Sequence, residues 1–84
     1  MEQSMTIVRD LGLTKAPYPN MSMTSLIENL VLRLRMEQGI RCRIVSVDGE
    51  SAVVVFDLRD KDGAKMQGPL QDFGLCIESD RGTP

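Results

Sequence analysis

Two arginines, Arg41 and Arg43, stand one residue apart in an apolar stretch, and no histidine occurs in the 84 residues. Arginine offers a planar fork of donors that matches carboxylate and phosphate oxygens, so a pair on one side of a strand suits a partner rich in either group. A plainer use of the same residues lays their stems across neighbouring valines, with the guanidinium groups in water and Arg41 over the ring of Phe56.

Other chemistry is thin. Without histidine there is no Ser-His-Asp or Cys-His pair, and the commonest general base and zinc ligand are missing. Cys42 and Cys76 lie too far apart to form a Cys-x-x-Cys motif, and an all-cysteine zinc site needs four thiolates. Both fall in apolar runs, where a reduced, buried thiol is the ordinary state. They can form a disulfide only if their strands are neighbours. Asp60, Asp62 and Gly63 resemble part of a calcium loop, but an EF-hand register puts Leu58 at position 1 and Pro69 at position 12, so the segment reads as a turn. Phosphate-binding glycine motifs are absent. A chain this short has little room for a deep ligand cleft. These observations argue against an enzyme and imply neither metal nor cofactor.

The elements that position the arginines come next. Residues 40–47 and 51–58 are rich in valine and isoleucine, and Asp48-Gly49 between them is a strong signal for a two-residue hairpin turn. With the turn centred there, Val47 faces Glu50, Val45 faces Ala52, Arg43 faces Val54 and Arg41 faces Phe56. Alternation then gives Ile40, Cys42, Ile44, Val53 and Val55 to the face that receives a helix. Arg41, Arg43, Val45, Val47, Ala52, Val54, Phe56 and Leu58 fall on the other. A slip of one residue exchanges the faces.

The helix is predicted over residues 26–38. Ser25 and Glu28 fit a capping box, with Thr24 as an equivalent cap, and Gly39 is placed to end the helix in the left-handed region. Leu26, Ile27, Leu30, Val31 and Leu34 gather into one stripe, the face expected to lie on a sheet. Leu32 and Met36, four apart, are neighbours on the opposite side among Glu28, Asn29, Arg33 and Arg35. Either another part of the chain covers them or they form a partner or dimer surface, since apolar residues bordered by arginine are typical of interfaces.

The remaining segments complete a single domain. Residues 5–11 read as a short edge strand, with residues 1–4 loose. Pro17 and Pro19 bracket Tyr18 in an extended connector, where the ring is placed as a half-buried lid over the core. Gly68-Pro69 breaks residues 66–73, where Pro69 can open one helical turn. Residues 74–78 form a last short strand and residues 79–84 are expected to fray. The order β-α-β-β-(short helix or turn)-β defines an α+β fold with a small antiparallel sheet of three or four strands and one main helix on one face. A ferredoxin-like plan with a shrunken second helix is the alternative, and the brevity of residues 66–73 favours the simpler layer.

At this length only about 60 to 65 % of the unfolded surface is buried, so association with another molecule is expected. The net charge of −2 lacks the basic excess of a dedicated nucleic-acid binder. No signal-like or membrane-length apolar run occurs, which suggests a soluble protein of the cytoplasm.

The leading expectation is therefore a small non-enzymatic regulator or inhibitor that occupies a surface of a larger protein. Its candidate contacts are Arg41, Arg43, Val54 and Phe56 on the ribbon, and Leu32, Met36, Arg33 and Arg35 on the helix. Size and acidity associate it with phage or plasmid accessory proteins that block bacterial defence complexes, an association rather than a derivation. Nucleic-acid binding through the strand arginines is the rival, opposed by the net charge and the scarcity of aromatics. A homodimer using either patch is the third reading.

Overall fold

In a computed structural model that describes residues 1–59 and 61–80, four strands form one antiparallel sheet: β1 (Glu2–Arg9), β2 (Arg41–Val47), β3 (Ser51–Asp57) and β4 (Leu75–Ile77), in the order β2-β3-β1-β4. The principal helix, α1 (Met23–Arg33), continues as a π-helical turn (Leu34–Gln38), and two short helices, α2 (Asp62–Lys65) and α3 (Gln67–Asp72), precede β4. A 3-10 turn (Glu78–Asp80) follows. The α+β class and the element order agree with the sequence reading. Strand β3 lies between β1 and β2, the two strands that α1 connects, so the strand order is that of the split β-α-β plan, with its second helix reduced to α2 and α3 on the same face as α1. The α+β layer with one main helix on one face of a small antiparallel sheet is what the structure shows, and its strand order is also the one the ferredoxin-like alternative requires. Leu70 and Met66 still reach the core.

Strand β1 is interior, not an edge, and it begins at Glu2, so residues 2–4 are paired with β3 rather than loose. Ile7 and Val8 are consecutive, point to opposite faces, and are both buried. Burial on both sides is the mark of a central strand.

Helix α1 starts earlier than the Ser25–Glu28 box implies. Ser22 is the cap, its hydroxyl accepting the Ser25 N–H at 3.2 Å, and Met23 is drawn into the core. Leu26, Ile27, Leu30 and Leu34 are buried and Val31 packs beside them, as the 3.6-residue period requires. The helix ends at Gly39 with φ 69°, and the Ile40 N–H donates to the Leu34 carbonyl. Beyond the sheet, Gly74, also at φ 69°, lets Pro17 approach so closely that a Cβ there would lie 3.0 Å from the proline ring. That contact seats the 10–20 connector against the end of α3.

The hairpin differs from expectation by one residue. Asp48 and Ser51 form the closing pair, the Asp48 N–H donating to the Ser51 carbonyl at 2.8 Å, and the central residues are Gly49 and Glu50. The Asp48 carboxylate accepts from the Glu50 and Ser51 N–H groups, each at 2.8 Å, which is how aspartate starts a turn with its side chain. Val47 therefore faces Ala52, and a bulge at Val45 shifts the pairing by one residue, so that Cys42 faces Phe56, Arg43 faces Val55 and Arg41 faces Asp57. Ala52, Val54 and Phe56 turn inward beneath α1. Val53 and Val55 turn to the open face with Arg41 and Arg43.

Candidate functional site

The slip divides the expected ribbon surface in two. Val54 and Phe56 are wholly buried, so they are core residues and no partner reaches them in the folded chain. Arg41 does not lie over Phe56; its cross-strand neighbour is Asp57, which in turn faces Glu2. Arg41 and Arg43 remain exposed on the open face, and among the described residues neither has a carboxylate within ion-pair distance. Their strand forms one edge of the sheet, and Ile44 and Val45 are exposed along it.

The helix residues separate differently. Leu32 is 53 % exposed and Met36 75 %, and no described segment covers them. Arg35 beside them is also exposed. Arg33 is occupied within the molecule: its guanidinium meets Asp72 at 2.6 Å and Glu37 at 3.1 Å, and lies 5.9 Å from the centre of the Phe73 ring. The hydrogen bond to Asp72, then that to Glu37, raises its already high pKa. Arg33 thus ties α1 to α3. The Tyr18 ring also packs on Phe73, tilted by 35° with the ring centres 5.8 Å apart, and its backbone is at φ 52°. Half of its surface is exposed, so it covers Phe73 and not the central core.

The two cysteines sit on opposite edge strands, so no disulfide joins them. Burial against the core raises the Cys42 thiol to a pKa of about 11, which keeps it protonated near neutrality. Asp62 caps the turn before α2, its carboxylate accepting the Arg59 N–H at 2.8 Å and meeting Lys65 at 3.4 Å. Those contacts, the Arg59 N–H first, hold its pKa below the usual carboxylate range. This is the turn expected of the 60–63 segment, although Asp60 itself lies outside the described residues, as do residues 81–84 of the tail.

One feature had no signal in the linear pattern. Arg41, Arg59 and Lys65 line a single cleft of about 420 Å³ at the end of the sheet, with Gln38, Gly39, Asp57 and Asp62. Its cations come from β2, the loop after β3 and α2, segments whose convergence depends on strand order. Among the described residues no helix is long and apolar enough to cross a membrane. No family model, curated protein or solved structure matches the chain.

Proposed function

We propose that this protein is a non-enzymatic regulator or inhibitor that occupies a surface of a larger protein through the outward face of α1. The observation that carries the reading is the pair Leu32 and Met36. They are four residues apart on one continuous helical segment, stand 53 % and 75 % exposed, and Arg35, next to Met36 in the chain, is exposed as well. A helix whose inner stripe is already complete has no folding use for two more large apolar side chains side by side, whereas a helix-in-groove partner reads such i, i+4 anchors directly. The role of accessory protein against a bacterial defence complex is one form of this reading, supported by size and acidity alone.

A second reading, a homodimer, is favoured by β2. An edge strand offers unpaired backbone donors and acceptors, and Ile44 and Val45 add apolar surface. Light scattering separates the two. A monomer that captures a stoichiometric protein from lysate, and loses it on Leu32→Glu or Met36→Glu, supports the first. A dimer dispersed by Val45→Glu or Leu32→Glu supports the second. Nucleic acid is the weaker reading, because Glu2 and Asp57 share the arginine face. Oligonucleotide binding that falls steeply with salt would revive it.

A further inference from the structure

We propose that the cleft between the start of β2, the loop after β3 and α2 is a binding site for a small molecule bearing a phosphate group. Its described lining sets three cations, Arg41, Arg59 and Lys65, against two carboxylates, Asp57 and Asp62. Both carboxylates are already engaged. Asp62 accepts the Arg59 backbone N–H and meets Lys65, and Asp57 meets the Met1 nitrogen at 3.2 Å. The guanidinium groups of Arg41 and Arg59 have no ion-pair partner among the described residues.

Two arginine forks approaching one cavity from different elements suit an anion with several oxygens, because each fork donates two parallel hydrogen bonds. A volume of about 420 Å³ falls within the range of small-ligand sites. Gly39 closes one side without a side chain, and a Cβ there would still meet nothing within 4 Å, so the rim is open. The carbonyl end of the α1 π-helical turn borders the same side and repels negative charge. The phosphate therefore belongs towards Arg59 and Lys65, with Arg41 closing over it. The described lining offers no large apolar wall, so recognition rests on the charged group and not on the body of the ligand. This site is separate from Leu32 and Met36 and stands whether or not the helix face binds a protein.

The test is a titration of the ¹⁵N-labelled chain with inorganic phosphate and with pyrophosphate, followed by amide NMR, with sodium chloride at matched ionic strength as the reference. Saturable shifts are expected at the amides of Gly39, Arg41, Arg59, Asp62 and Lys65, with pyrophosphate the tighter ligand. Arg59→Gln and Arg41→Gln should each weaken binding about tenfold or more, as expected for a charged hydrogen-bond donor. Arg43→Gln, on the same strand but outside the cleft, should leave it unchanged. All three residues are exposed, and preserved amide dispersion confirms that each variant folds. Shifts that grow linearly without saturating, that chloride reproduces, or that Arg43→Gln weakens as much as Arg59→Gln would overturn the proposal.

Discussion

Helix α1 and strand β2 both leave apolar side chains in water, but for different reasons. On β2, Ile44 and Val45 are exposed because the strand lies at the edge of the sheet and Val45 is the extra residue of a bulge. Bulges and charged residues are common protections of such an edge, and Arg41 and Arg43 supply the charges. Sheet geometry accounts for that exposure. On α1 and its π-helical turn nothing comparable operates: Leu26, Ile27, Leu30 and Leu34 fill the inner stripe, and Leu32 and Met36 are surplus to it. Exposure that the fold already explains carries less functional weight than exposure it leaves unexplained, and this is why the helix face leads.

The comparison depends on the hairpin register, and the largest expected effect tests it. Phe56→Ala should destabilise the domain by about 3 to 5 kcal/mol, the cost of an aromatic-sized core cavity. Val55→Ala, one residue along on the open face, should cost about 1 kcal/mol or less. Urea unfolding of the two variants measures the difference. A reversal of the order would restore a turn centred on Asp48-Gly49 and return Phe56 to the arginine face.

Removing the turn acceptor should have a smaller effect that depends on pH. The Asp48 carboxylate is held below its usual pKa by the Glu50 and Ser51 N–H groups. A depressed folded-state pKa contributes stability that is fully present above the unfolded value of about 4 and disappears as pH falls through the folded value. Stability should therefore decline on acidification below about pH 4, and Asp48→Asn should flatten that decline. Asp62, depressed by the Arg59 N–H, titrates in the same direction, so Asp62→Asn should flatten it as well. Unfolding curves from pH 6 to pH 2 measure both slopes, and slopes equal to wild type would contradict the assigned turns.

Chemical labelling reads the packed side of β2. In a Cys76→Ser background, Cys42 should react with a thiol reagent at pH 8 far more slowly than a model thiol of ordinary pKa, since its own is pushed up to about 11. Rapid labelling would mean that β2 detaches from the core.

These contrasts also show what the linear pattern can hold. The inner stripe of α1 was legible because a 3.6-residue period depends on no partner, and the stop at Gly39 followed from local chemistry. The faces of β3 were not legible, because a two-residue period reverses with a single shift of register, and a side-chain turn at Asp48 is hard to distinguish from a backbone turn at Asp48-Gly49. The same ambiguity placed Val54 and Phe56 on the wrong side while leaving Arg41 and Arg43 on the right one. The position of β1 could have been inferred from the adjacency of Ile7 and Val8, two large apolar side chains that a strand points to opposite faces. The cleft formed by Arg41, Arg59 and Lys65 could not, since it requires three segments to meet.

The smallest expected effect on stability belongs to the helix face. Leu32→Glu and Met36→Glu, alone or together, should change unfolding by no more than about 0.5 kcal/mol, because both side chains already stand in water. That makes the double variant the most direct probe of function. Its capture of protein from lysate should be compared with that of the wild-type chain and of Arg43→Gln, all three shown to have the same melting temperature. The account predicts a stoichiometric partner held by the wild-type chain and by Arg43→Gln and lost by Leu32→Glu/Met36→Glu. Equal capture by the double variant would contradict it.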